Sequence, residues 1–206
     1  VKEGHYDKAI LAVGSCEAHG QHIAEGCDTL VSYELSKKIA DNVDGLLVLP
    51  PVTVGYSGHY DTFPFTLTLS YDTVTQVIYD IMESVLRNGI NKIFVFNGHD
   101  GNIAPIEIAS RKIKEKYPDA RIASLPEWWV IAGKLLPEGT FEVWNGVGHA
   151  GEGETSIAYH LFGEYCEPEL ATCVIPDHLI DGIDIKWDFS EITNTAQTGD
   201  ATKGTA

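Results

Sequence analysis

Three glycine-bearing stretches of this sequence carry acids and imidazoles at spacings that suit a metal ion. The first is Gly14-Ser15-Cys16-Glu17-Ala18-His19-Gly20-Gln21-His22, continuing to Asp28. The second is Asn97-Gly98-His99-Asp100-Gly101-Asn102, and the third is Gly148-His149-Ala150-Gly151-Glu152-Gly153-Glu154-Thr155-Ser156. Imidazole nitrogen and carboxylate oxygen together suit Zn²⁺, Mn²⁺ or Fe²⁺. Glu17 and His19 flank one residue, so an extended backbone points both to the same side. Glycines beside His99 and His149 let the backbone approach a ligand closely. Taken singly, each stretch has a plainer explanation. An isolated E-x-H carries little, Asn-Gly is chiefly turn chemistry, and Asp28 before a helix is first of all an N-cap. What favours a metal is convergence, because five of the eight histidines (His19, His22, His59, His99 and His149) fall in or beside the expected rim.

The elements that must position these residues alternate between strand-like and helical patterns, as parallel βαβ units do. Residues 8–14 (KAILAVG) read as a buried strand ending in glycine. Residues 29–43 follow with apolar positions at helical spacing, and 46–49 form a second strand stopped by Pro50 and Pro51. Residues 55–66, rich in Gly, Tyr and His, read as a long functional loop. Ser70 and Asp72 offer cap chemistry for a helix reaching about residue 87, ended by Asn88-Gly89. Residues 92–96 (KIFVF) are a buried strand, followed by a helix over 103–116, a strand over 121–125 and a helix over 126–136. Residues 138–151 read as a loop and 152–162 as a helix. Beyond Pro176 the pattern weakens, and 193–206 read as a polar tail of low complexity. The expected architecture is a single α/β domain over residues 1–206 with a mostly parallel sheet. Ligands of such sheets bind beyond the carboxyl ends of the strands, where the three stretches lie.

Composition narrows the partners. Fourteen Lys and Arg stand against 30 Asp and Glu, a net charge of −16. That field repels phosphate backbones and anionic membrane surfaces, so neither nucleic acid nor a membrane is expected. No apolar run approaches the roughly 18–20 residues that cross a bilayer, and no secretory leader is visible, which fits a cytoplasmic location. Cys16, Cys27, Cys166 and Cys173 show no C-x-x-C spacing and read as small buried hydrophobes in a reduced compartment.

At the three stretches the sequence resembles the creatininase (creatinine amidohydrolase) family. The family pattern runs G-S-x-E-x-H-G-x-H-L-P-x-x-T-D, then H-x-x-F-P-G-T, N-G-H-G-G-N and H-A-G-E-x-E-T-S. Here these stand at 14–28, 59–66 (HYDTFPFT), 97–102 and 149–156, in the same order. Gln21, Ile23, Ala24, Phe65 and Asp100 depart from the pattern, and none of them removes a ligand. The resemblance implies a three-layer αβα sandwich, flavodoxin-like, assembled as a homo-oligomer, commonly a hexamer. It implies two divalent metal ions, zinc first, with manganese or iron as alternatives. Glu17, Asp28 and His99 would hold one ion; His19, Asp28 and a further carboxylate would hold the other, with Asp28 bridging. Creatininase itself draws that carboxylate from the position of Gly101 and lacks the one at Glu152. This chain has the reverse arrangement, so Glu152 is the expected ligand, with Glu154 a supporting or additional one. The start at Val1 and the polar tail raise the expectation of trimmed ends.

The implied reaction is hydrolysis of a C–N bond in a small cyclic amide or formamide by a metal-bridging hydroxide. His149 is the expected general acid, with Glu154 also in a catalytic role. Backbone N–H groups from Gly98 onward, with His59, Phe65 and Asp100, are the expected substrate contacts. Asp100 and Phe65 put creatinine itself in doubt. The alternatives are a formylamino-pyrimidine nucleotide deformylase, a peptide-trimming relative, and a non-catalytic metal-binding protein.

Overall fold

The computed structural model describes residues 5–142, 146, 148–175 and 196–205. Trp144 and most of the stretch beyond Pro176 lie outside the described residues. The chain forms two compact units, Val1–Cys16, Gly26–Gly58 and Leu67–Trp128 in the first, Glu17–Glu25, His59–Thr66 and Trp129–Ala206 in the second.

The first unit is built on a parallel sheet. Its strands are β1 (Lys8–Val13), β2 (Leu46–Val48), β3 (Lys92–Asn97) and β4 (Arg121–Leu125), in the order β2-β1-β3-β4. Lys8 pairs with Leu46 on one side and Lys92 on the other, and Lys92 pairs with Arg121. Side chains alternate across a strand, so Leu11, Val13, Ile93 and Val95 share one face. On that face they meet Val74, Ile78 and Met82 of α2 (Tyr71–Arg87) and Ile106, Ala109 and Ile113 of α3 (Ile103–Lys116). These helical residues recur three and four apart, the stripe an amphipathic helix turns toward a core. Each large one buried contributes about 1.5–3 kcal/mol. The opposite face, with Ile10, Ala12, Phe94 and Phe96, is covered by α1 (Cys27–Ala40) and by Trp128, whose ring stacks on Phe96 at 5.9 Å. Helices on both faces make the expected αβα layering.

The bounds of α3 and β4 match the sequence reading. Ser70 caps α2 by accepting from the Thr73 N–H at 3.2 Å. One expectation fails at α1. The helix begins at Cys27 with Gly26 as its N-cap and no side-chain cap bond, so Asp28 lies in the first turn and is not the cap. Two close approaches wedge that turn in place. A Cβ on Gly14 would sit 2.4 Å from Thr29 Cα, and one on Gly98 would sit 2.3 Å from the Asp28 carbonyl oxygen. Only glycine lets the ends of β1 and β3 press against the start of α1.

The second unit holds the loop Glu17–Glu25, α5 (Glu152–Phe162) and an antiparallel pair, β5 (Cys173–Val174) with β6 (Gly199–Asp200). α4 spans Trp128–Leu135, and all of it but Trp128 belongs to the second unit. Residues 196–205, expected as part of a tail, are instead built into this unit: Gln197, Asp200 and Ala201 are buried. Thr198 donates its N–H to His149 O at 2.7 Å, and its hydroxyl accepts from the His149 N–H at 2.9 Å. Polar composition hid this, because the segment is satisfied by hydrogen bonds and not by apolar burial. No helix among the described residues is long and apolar enough to cross a membrane.

Two outcomes follow. Gly98→Ala should cost about 1–3 kcal/mol of unfolding free energy, since backbone must shift to admit the methyl group; parent-like stability in urea titrations would contradict the close approach. Glu83 of α2 accepts from Lys116 Nζ at 2.6 Å, Tyr79 OH at 3.1 Å and Tyr117 OH at 3.2 Å. Lys116 above all, then the two hydroxyls, hold its carboxyl below the usual 4.5. A depressed folded pKa adds stability above the unfolded value, lost as pH falls through the folded one. The stability gap between parent and Glu83→Gln should therefore narrow in acid, and a constant gap would refute the assignment.

Candidate metal centre

In the first unit, the end of β3 is pinned before it reaches His99. Asn97 donates from its amide to His99 O at 2.6 Å and Pro126 O at 3.0 Å, and accepts from the His99 N–H at 3.2 Å. The ring of His99 donates from Nε2 to Tyr56 O at 2.6 Å, which leaves Nδ1 facing Asp28 Oδ2 at 3.1 Å. Both side chains are almost wholly enclosed, His99 at 5% and Asp28 at 3% exposure. Gly101 is required beside them, because a Cβ there would sit 2.2 Å from Tyr56 O and 2.6 Å from His99 Nε2. Asn102, at the N-cap position of α3, makes no side-chain cap bond. Its amide instead joins Gly14 O at 3.0 Å to the Tyr56 N–H at 3.1 Å.

In the second unit, the loop from Glu17 closes on itself through Glu17 N–H to Glu25 O at 2.8 Å. His19, fully buried, donates from Nδ1 to Glu17 O at 3.0 Å and turns Nε2 toward Glu154 Oε1 at 3.4 Å. Glu154 is steadied at its other oxygen, which accepts from the Ala150 N–H at 2.6 Å. His149 donates from Nε2 to Ala18 O at 2.5 Å and faces Glu17 Oε1 with Nδ1 at 3.7 Å. Its ring lies between Tyr60, stacked at 4.2 Å, and His19, at 4.4 Å. Ligand atoms of Glu17, His19 and His149 all lie within 4.8 Å of one another. Burial first, then the neighbouring His19, pushes the His149 imidazolium to lower pH than usual, with Glu17 and Glu154 opposing. The same two causes lower the pKa of His22, and burial raises that of Glu25.

The remaining expected residues separate. Glu154, not Glu152, is the glutamate beside His19; a carboxylate oxygen of Glu152 accepts from the Glu142 N–H at 2.8 Å. Helical geometry explains the choice, since residues two apart point away from each other around a helix. The Gly98 N–H is committed to Val13 O at 2.8 Å, so it offers no substrate contact. A His59 ring nitrogen lies within 4.8 Å of a Glu17 carboxylate oxygen. Phe65 is 84% exposed at φ 60°. Burial first, then Tyr56 and last the half-buried Asp100, push the Tyr71 hydroxyl up to about 12. Two contributors had no sequence signal: Tyr60, a face for His149, and Thr198, its backbone clamp.

Residues 2–206 match the family model described as Creatininase: Creatinine amidohydrolase. Creatinine amidohydrolase of Pseudomonas putida is 30% identical over 168 residues, covering 74% of this chain and 64% of that protein. Mycofactocin precursor peptide peptidase of Mycobacterium ulcerans (strain Agy99) is 25% identical over 163 residues, covering 75% of this chain and 58% of that one. The chain thus spans less than two thirds of the length of either curated relative. A solved structure named "Creatininase Mn" superposes with a TM-score of 0.78 at 25% identity, over 99% of this chain and 84% of that one. The motifs, the parallel sheet and the whole-length match agree: this chain belongs to the creatininase (creatinine amidohydrolase) family.

Proposed function

We propose that the protein is a metal-dependent amidohydrolase that cleaves a C–N bond of a small cyclic amide or formamide. One observation carries this reading. His19, His99 and His149 are each tied by one ring nitrogen to a main-chain carbonyl and turn the other toward a carboxylate. A carbonyl only accepts, so the nitrogen facing the carboxylate is a lone pair unless the ring is charged. Lone pair and carboxylate repel, and a proton or a metal cation between them resolves the repulsion.

The residues we infer would hold the metal are Glu17, His19, Asp28, His99 and Glu154. Glu154 takes the place expected of Glu152 because it is the carboxylate directed at His19. Zinc leads, and manganese or iron also suits the mixed donors. When bound, two such ions polarise an amide carbonyl and lower the pKa of water toward about 7.

The chain's own residues handle the proton. His149 begins neutral, with its Nε2–H held by Ala18, so Nδ1 accepts a proton from the attacking water. The same atom then returns it to the departing nitrogen, a poor leaving group unless protonated. We keep the acid role expected of His149 and add the role of base before it. His59 and Asp100 are the side chains we assign to substrate orientation. A second reading, removal of residues from a peptide, is favoured by the relative named as a peptide peptidase.

Glu154→Gln should weaken metal binding beyond the roughly 10–100-fold of an outer-shell change, while Glu152→Gln stays within it. Equilibrium dialysis with elemental analysis reads both, and equal losses would reverse the assignment. Turnover of creatinine, small formamides and short peptides should vanish on exhaustive chelation and return with Zn²⁺ or Mn²⁺. Undiminished turnover of any of them by metal-free protein would end the proposal.

A further inference from the structure

His22 belongs to the same loop as Glu17 and His19, yet the ligand set leaves it unused. It is 1% exposed, and its Nε2 lies 2.9 Å from Thr155 Oγ1. The Thr155 hydroxyl has one proton, and it goes to Ala150 O at 3.2 Å. The hydroxyl must therefore accept from His22, which fixes the Nε2–H tautomer. Ala150 is fully buried at φ 51°, a left-handed conformation disfavoured for a residue bearing a Cβ. In that conformation its N–H meets Glu154 Oε2 at 2.6 Å, while Glu154 Oε1 faces His19 Nε2 at 3.4 Å. The contacts run from His22 through Thr155, Ala150 and Glu154 back to His19, three residues from their start.

We propose that His22 and Thr155 are positioning residues: together they hold Ala150 in its left-handed turn, and the Ala150 N–H orients Glu154 toward the cation. The proposal rests on the reading of Glu154 as a ligand. A glutamate has three side-chain torsions to lose when it coordinates. Gripping one oxygen beforehand removes most of that loss and presents the other oxygen in one direction. The glycine at 20 fits the same device, because a Cβ there would lie 2.9 Å from His22 Nδ1 and push the ring off Thr155. Thr155 sits on the first turn of α5, so its hydroxyl and the Glu154 carboxylate grip the two peptide groups that flank the Ala150 Cα, through its carbonyl and its N–H.

The test compares Thr155→Val, which keeps the shape and removes the hydroxyl, with Thr155→Ser, which keeps the hydroxyl. The readouts are Zn²⁺ affinity by chelator competition and thermal unfolding of the metal-free protein. Thr155→Val should weaken Zn²⁺ binding about 10–100-fold, and Thr155→Ser should restore it. His22→Leu removes the donor without touching α5 and should show the same loss, which keeps the test open if Thr155→Val does not fold. Parent-like Zn²⁺ affinity in a variant whose metal-free form merely melts earlier would overturn the proposal, leaving these residues a structural role only. Glu154→Gln separates the two failures. If it lowers Zn²⁺ affinity while Thr155→Val and His22→Leu do not, Glu154 remains a ligand and only the positioning falls. If it leaves affinity intact, both fall together.

Discussion

Each of three enclosed imidazoles gives one ring N–H to a main-chain carbonyl, and that bond decides where the other nitrogen points. The carbonyls belong to Glu17, Ala18 and Tyr56, all on loops that leave or face the ends of strands. Backbone thus does the work that outer-shell carboxylates do in many metal sites. Turning a ring would cost its hydrogen bond to the main chain. The loops orient the donors.

Such an arrangement opposes stability where it stands. Glu17 at 1% exposure and Asp28 at 3% are carboxylates almost removed from water, a transfer costing several kcal/mol each unless compensated. Binding of cations only to the folded state would offset this by mass action, so stability and metal occupancy are coupled. In the first unit, the apolar layer where the sheet meets α2 and α3 supplies a favourable term against the burial of Asp28. Glycines complete the arrangement by their absence of a side chain. Gly14, Gly98 and Gly101 each stand where a Cβ would strike backbone or the His99 ring, so the polar loops pack as closely as a hydrophobic core.

Much of this was legible in the chain itself. The buried strands KAILAV and KIFVFN announce themselves by continuous apolar character, as parallel strands covered on both faces must. Helix bounds at 103–116 and 152–162 followed from spacing and from flanking Pro and Gly. The donor types were visible as acids and histidines clustered after strands, and the motif order pointed to the family. Other features were hidden because their causes are non-local. Asp28 reads as a cap until the wedging of Gly14 and Gly98 against the first turn of α1 is seen. Thr198 reads as tail until it is found bonded to His149.

Sequence alone determined which chemistry is available: the strands and helices, the loops that join them, and the imidazoles and carboxylates those loops carry. Tertiary structure decided how the donors are used. It put Glu154 and not Glu152 beside His19, set which nitrogen of each imidazole faces a carboxylate, and took the Gly98 N–H for Val13. The physical reason is range. Periodicity and turn chemistry act between neighbours along the chain, whereas a tautomer or a carboxylate's direction is fixed by whichever carbonyl or N–H lies about 3 Å away across it.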